Sequence, residues 1–442
     1  MKKIFVLPIF LFGILTLIGC RKTSVSSKTN TSSKTTNIIE LTISKAPEGY
    51  IKLNEDIDAN QYTVNLKANG EEHKDLPITD SKLNVSGLVN GKLNTSSVGR
   101  KTITISYGTK TLTIIYNVVN FIVNNYEELK EAISQEGEII VLMNNISVDN
   151  TKTGITISKD TKKTLELNGH TISFKPDLSS TTELIKNNGT LTIQDRTDIS
   201  KNGGGTGLIT NKALNPDDDW SDEDPNHPFP SYANNTITNS GELIIESGLI
   251  ENTTSGGAAY AIDNNSGNNH AIVNVKGGKV LATDNFALRM YANSTTYNNI
   301  VNVTGGILEG ARAIWLHLPG SSGAEKLAEI NISGGTLKSS DEEYNLAIYS
   351  YTFGDSFAKT KITITGGNFE GDVAFTGGTK KTPTETVIIS GGHFKGNYGA
   401  YSYGEMGPFI TGGTFKANPN DYVNLETHQI STVNDEYVVT AK

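Results

Sequence analysis

The chain has a single cysteine, Cys20, among 442 residues, so no intramolecular disulfide framework can hold it together. It also lacks an excess of positive charge. Lys and Arg total 38 against 47 Asp and Glu, a formal charge of −9, and removing a leader that carries Lys2 and Lys3 makes the balance more negative still. That argues against a nucleic-acid partner. Long apolar runs are missing beyond the first twenty residues, and the run from Ile4 to Ile18 is shorter than the roughly 20 residues a membrane-spanning helix needs. Two phosphate- and metal-binding signatures are absent as well. Gly203-Gly204-Gly205 precedes no Lys-Ser/Thr pair, and no segment has the spacing of an EF-hand. Helical periodicity is scarce. What the chain has in quantity is glycine, 44 residues, with 36% hydrophobic residues, a composition suited to folded β-structure.

The glycines are ordered. Gly277-Gly278, Gly305-Gly306, Gly334-Gly335, Gly366-Gly367, Gly391-Gly392 and Gly412-Gly413 recur at intervals of 21 to 32 residues. Most follow a segment of alternating β-branched residues, such as Val301 and Val303 or Ile330 and Ile332, and each is followed by an apolar side chain: Val280, Leu308, Leu337, Phe369, Phe394 and Phe415. A period of two gives each short strand one buried face. A second phrase, alanine then an apolar residue, advances in step at Ala261, Ala287, Ala313, Ala347, Ala374 and Ala400. Two strand columns moving together at this period imply a solenoid with glycine corners, and a β-propeller ranks second because a blade needs four strands. The phrase Asn-x-Gly-x-Leu-x-Ile at Asn187–Ile193 and Asn239–Ile245 begins the pattern earlier.

Residues 1–19 read as a secretory leader, and Leu17-Ile18-Gly19-Cys20 resembles the lipobox of bacterial lipoproteins, which implies lipidation of Cys20 and a lipid anchor in the cell membrane or outer membrane, exposed outside the cytoplasm. The bland alternative is an ordinary signal peptide ending near a chance cysteine. Residues 20–36 are Ser/Thr/Lys-rich and read as a tether. Residues 37–120 form an all-β module of short alternating strands, with Ile103, Ile105 and Tyr107 pairing across Gly108-Thr109 with Leu112, Ile114 and Tyr116. The stretch Val98–Gly108 resembles bacterial immunoglobulin-like domains, which implies a small β-sandwich acting as spacer or adhesive module. A helix is expected over Asn125–Ile133, capped by Asn125 with Glu128 and lidding the first coil through Tyr126, Leu129 and Ile133. Residues 121–442 then resemble the right-handed parallel β-helix of pectate-lyase-like proteins and the repeat-rich surface proteins of gut-type bacteria.

That architecture hosts lyases, hydrolases, adhesins and stalks, so function has to come from a site. With Leu288 and Met290 pointing inward, the outward columns read Asp263, Arg289, Trp315, Tyr349, Thr376, Ser402 and Asn265, Tyr291, His317, Tyr351, with Ala287 also outward. Arg289, Tyr291, Trp315, His317, Tyr349 and Tyr351 are the candidate ligand-binding set, because aromatic rings suit the apolar faces of sugars. Glycoside hydrolysis requires two carboxylates and this face offers only Asp263, while lyase chemistry requires a carboxylate cluster beside a basic residue. The expected function is therefore a non-catalytic surface protein that contacts a glycan or cell-surface ligand, with a polysaccharide lyase or hydrolase as the alternative. The loop bearing Asp217, Asp219, Asp222 and Asp224 is a calcium candidate, its alternative being a solvated acidic loop.

Overall fold

A computed structural model describes residues 39–148, 154–175, 183–197, 207–212, 234–254, 259–283, 285–318, 326–341, 345–352, 358–375, 385–400 and 407–442. Cys20, the leader and the tether lie outside these residues. So do Asp217, Asp219, Asp222 and Asp224. Among the described residues no helix is long and apolar enough to cross a membrane.

The N-terminal module has a three-stranded antiparallel sheet, Glu40–Lys45, Thr63–Ala68 and Glu71–Pro77, and a four-stranded sheet of Tyr50–Lys52, Lys110–Val119, Gly99–Tyr107 and Asn84–Ser86. The expected hairpin forms, with Ile103 opposite Ile114, Ile105 opposite Leu112 and Tyr107 opposite Lys110. Inward residues of both sheets, among them Leu41, Val64, Ile103, Ile105 and Tyr116, share one core. Tyr116 keeps its hydroxyl satisfied inside that core by accepting from the Asn94 amide at 2.9 Å.

The helix spans Tyr126–Ser134. Asn125 caps it by accepting from the Glu128 amide at 3.0 Å, and Glu128 in turn accepts from the Asn124 amide at 2.8 Å. Tyr126, Leu129 and Ala132 are buried, and Ile133 packs partly exposed beside them. One stabilising contact had no counterpart in the sequence reading. The ammonium of Lys163, a residue of the first coils, donates to the carbonyls of Ala132, Gln135 and Gly137 at 3.1, 2.6 and 2.7 Å, so a buried cation closes the carbonyl end of the helix.

The rest is a parallel β-solenoid. A nine-stranded parallel stack runs from Ile155–Ile157 to Tyr398–Ala400, and a twenty-stranded sheet contributes two strands from most coils. Register follows the repeats: Leu191 and Ile193 lie beside Leu243 and Ile245, and Val273, Val301, Ile330, Ile362 and Val387 form one continuous inner column. The second expected column is equally continuous, and where it becomes aromatic the rings stack. Phe369 lies 4.4 Å from Phe394 and Phe394 lies 4.8 Å from Phe415, with interplanar angles of 2° and 7°. The ~4.8 Å rise between strands sets that ring spacing.

The two glycines of each pair serve different ends. Gly306 sits at φ 76°, where a side chain is strained. Gly305 has no such conformation, but a Cβ there would stand 2.3 Å from the Lys276 carbonyl oxygen of the previous coil. The first glycine lets the coils approach, and the second turns the corner.

Inside the solenoid runs a ladder of asparagines. Asn187 donates to Asn239, Asn239 to Asn264 and Asn264 to Asn299, each at 2.7 Å, and all four side chains are fully buried. Each amide also satisfies a backbone carbonyl; Asn264, for instance, donates to Ala271 at 3.1 Å. These buried amides tie one corner of the stack together at positions where an apolar residue would leave carbonyls unpaired.

At the far end, the hairpin of His428–Val433 and Glu436–Ala441 turns through Asn434 and Asp435, both at positive φ, and lays its second strand antiparallel on Ile410–Phe415. The parallel strand that would otherwise expose its edge is thereby paired.

One expectation about register fails. Ala347 is an extra residue between Leu346, which lies beside Asp372, and Ile348, which lies beside Val373. Past this slip Ala374, expected beside Ala347, pairs with Tyr349 two positions on, and Ala400, expected beside Ala374, pairs with Phe375 one position on. The outward column beyond Tyr349 therefore continues with Ala374 and Gly399, whereas Thr376 and Ser402 lie outside the described residues. Ala287, expected on the outside, is fully buried in the core.

Candidate functional site

Four neighbouring strands, Ile262–Asn265, Phe286–Tyr291, Arg312–Leu318 and Leu346–Thr352, build the face that carries the candidate residues. Asp263, Arg289, Trp315 and Tyr349 stand side by side in one register column, and Asn265, Tyr291, His317 and Tyr351 in the next but one. Leu288, Met290, Ile314 and Leu316 fill the core from the same strands, which turns Arg289, Tyr291, Trp315 and His317 outward. Tyr351 takes its expected place in the backbone register, while its side chain is outside the described set.

The centre of the face is an ion pair. Arg289 grips Asp263 with both Nε, at 2.8 Å, and Nη2, at 2.7 Å, and its Nη1 reaches the Tyr260 hydroxyl at 3.4 Å. The Asp263 side chain is 4% exposed and that of Arg289 14%. The guanidinium carbon lies 4.3 Å from the centre of the Tyr260 ring and 4.8 Å from that of Tyr291, so π-faces also cover the cation. Burial opposes its charge, but the Asp263 carboxylate outweighs burial and holds Arg289 more firmly protonated than an ordinary arginine.

Aromatic rings extend this centre in both directions. The Trp315 indole stacks on His317, two residues along the same strand, at 4.3 Å and 13°, and meets Phe286 at 4.6 Å and 43°. Tyr291 closes on His317 edge-on at 5.1 Å. Arg312 lies over Phe286 at 4.9 Å and over Tyr349 at 5.5 Å. Burial first, and the nearby Arg289 charge second, push the His317 imidazole down to about 4, with Asp263 partly opposing. His317 is therefore neutral at pH 7.

This geometry changes the chemistry expected of the set. Trp315 and Tyr349 are register neighbours, but the Trp315 ring is already engaged by His317 and Phe286 and Tyr349 lies under Arg312. The rings form a ladder packed on itself and on two arginines. Tyr291, Trp315, His317 and Tyr349 are partly exposed, as are Arg289 and Arg312, and together they are what the face offers to the outside.

Tyr260, Phe286 and Arg312 were missed from the sequence. They carried a signal nonetheless. Each immediately precedes one of the alanines that mark the coils, so reading the column one residue earlier would have found them. Asp263 was noticed only as a lone carboxylate, and its role as the partner of Arg289 follows from their adjacency across coils.

Among the described residues no group of three His, Cys, Asp or Glu could hold a metal ion. A second concavity lies at the lid, between the end of the helix and the edge strand Ile155–Ile157, lined by Lys130, Ile133, Glu138, Thr156 and Lys163 among others. Its buried cation, Lys163, is spent on the helix carbonyls. Compared with known proteins, the chain matches no family model, no curated protein and no solved structure.

Proposed function

We propose that the chain is a lipid-anchored surface protein that displays its solenoid for adhesion or carbohydrate binding and does no chemistry on what it contacts. In this reading Cys20 carries the anchor, the N-terminal module is immunoglobulin-like and serves as spacer, and the solenoid winds right-handed as in pectate-lyase-like proteins. The ligand face comprises Tyr291, His317 and Tyr349, with Tyr351 two residues on from Tyr349 along the same strand. Arg289 and Trp315, also partly exposed, serve as their support, and no cofactor is needed.

The observation that carries the reading is the state of Asp263. It is the carboxylate that the sequence places on this face, and it is consumed by a two-pronged bond to Arg289. A carboxylate so held is unsuited to pass protons, and Arg289, held protonated, is unsuited to serve as the base of a lyase. What the face retains is a row of half-buried aromatic and polar edges, a surface suited to recognition. Incubating the protein with a panel of polysaccharides and with whole cells, and measuring both retention and chain cleavage, tests the proposal. Retention without new chain ends is the expected result. New reducing or unsaturated ends would move the protein to the lyase or hydrolase class.

A further inference from the structure

Among the described residues the edges of the sheets are defended, with one exception. In the N-terminal module the edge strand Glu71–Pro77 carries Glu71, Glu72, Lys74 and Asp75 and ends on a proline, while the opposite edge, Glu40–Lys45, is broken by a register slip between Ile43 and Lys45. The edges Tyr50–Lys52, Asn84–Ser86, Phe121–Val123, Ile155–Ile157 and Tyr398–Ala400 are three residues each, and the pair Leu88–Val89 and Lys92–Leu93 is shorter still. Charge, proline, irregular register and shortness each keep an open edge from pairing with another chain.

The exception is His428–Val433. The strand Glu436–Ala441 pairs with Ile410–Phe415 on one side and with His428–Val433 on the other, so His428–Val433 is the outermost strand at this end of the twenty-stranded sheet. It is six residues long, its register is unbroken, and from Gln429 to Val433 it holds no charged residue and no proline. The two-residue turn through Asn434 and Asp435 makes Val433 and Glu436 a hydrogen-bonded pair. Antiparallel alternation then turns the N–H and C=O groups of Ile430 and Thr432 away from Glu436–Ala441, and no partner meets them among the described residues. Val433, on the same strand, is 51% exposed, the most of any large hydrophobic side chain described.

We infer that this edge is a self-association surface and that its partner is the same strand of a second copy of the chain, paired antiparallel about Ser431. A strand without charges is complementary to itself, since the pair sets no like charges opposite one another. In this register Ile430 of each copy meets Thr432 of the other, and the two satisfy each other's open amides and carbonyls. Gln429 covers Val433, and the two Ser431 residues face each other as a non-hydrogen-bonded pair, the kind in which side chains stand closest. Identical edges paired in this way make a two-fold contact, which closes at the dimer. The sheet begins at Phe121, next in the chain to the N-terminal module, and ends at this hairpin, so the paired solenoids run end to end with their modules outermost. On the lipid-anchored reading, on which this last step rests, such a pair joins copies from two facing membranes, and the protein is its own adhesion partner.

Ser431 is exposed, so Ser431→Lys and Ser431→Glu leave the fold intact and set like charges face to face across the two-fold axis. Sedimentation of the full chain, in detergent with micelles in large excess, tests the inference. A monomer–dimer equilibrium is expected in the wild type, weakened about tenfold or more in each variant alone and restored when the two variants are mixed. Thr432→Pro, which removes an amide pointing away from the hairpin partner, should also abolish the dimer. A wild type that stays monomeric overturns the inference and leaves the edge to a strand of another protein. A dimer indifferent to both charges places the contact elsewhere, and weakening without rescue in the mixture refutes the two-fold register. The measurement needs neither lipid nor glycan: a chain that dimerises without carrying lipid keeps the pairing and loses the facing membranes, whereas one that carries lipid and stays monomeric loses the pairing alone.

Discussion

Asp263 and Arg289 lie on adjacent coils, directly side by side in register, and two N–H groups of the guanidinium meet the carboxylate at 2.7 and 2.8 Å. Both are largely withdrawn from water, so the pair is a stake in stability as much as a feature of the surface. Asp263→Ala would leave a buried guanidinium uncompensated, at a cost of about 3–5 kcal/mol. Removing both partners, as Asp263→Ala with Arg289→Met, should cost clearly less. Denaturant midpoints for the single and double variants check the order; a double variant at least as unstable as the single one would mean that the pair's electrostatics matter little.

The imidazole of His317 gives a pH dependence whose sign is fixed. An unfolded histidine takes its proton near pH 6.5, whereas the folded one does so at about 4. Between those values the unfolded chain binds more protons, so stability is complete above about 6.5 and falls as the pH drops through the window. The loss from this residue is on the order of 2–3 kcal/mol by pH 4. His317→Gln should flatten the decline of thermal stability between pH 6.5 and 4, and an imidazole proton resonance titrating near 6.5 in the folded protein would refute the assignment.

The inner asparagine ladder should matter more than the outer one. Asn264→Leu removes a fully buried amide that both donates to Asn299 and accepts from Asn239, leaving polar groups without partners at a cost of about 2–4 kcal/mol. Asn331 donates to Asn302 at 2.9 Å from a half-buried outer row, where water can replace it, and Asn331→Leu should cost about 1 kcal/mol or less. Equal losses in denaturant midpoint would show that the interior ladder holds no special place.

Anchoring is tested at Cys20. Cys20→Ala should abolish incorporation of labelled fatty acid and move the protein from the membrane fraction to the soluble one. Membrane retention without label would leave the apolar run Ile4–Ile18 as the anchor.

The solenoid was legible because its core repeats. Val301, Ile330 and Ile362 occupy equivalent positions, and the paired glycines mark where one coil must approach the last. The hairpin of the module was legible for the same reason, alternation on either side of Gly108. Features that depend on a partner far along the chain stayed hidden. Nothing next to Asn264 in the sequence points to Asn239 and Asn299, which the coils bring to it, and nothing next to Lys163 points to the three carbonyls that close around it. Ala347 looked like any other alanine of its column, since a bulge that slips the register leaves the local pattern intact. Nor could periodicity distinguish an open ring from a packed one. Trp315 and Tyr349 were rightly placed on one face, but how their rings are engaged is a matter of side-chain packing.

The central claim is that this face touches a ligand, and the most direct measurement is binding by a Tyr291→Ala, Tyr349→Ala double variant. Each ring contributes a cation–π contact of about 1 kcal/mol, so the fold should survive with a modest fall in melting temperature. Binding to the polysaccharide or cell surface retained by the wild type should be lost in the folded variant. Binding at wild-type strength would contradict the account and leave the rings as a ladder that serves only the stability of the solenoid.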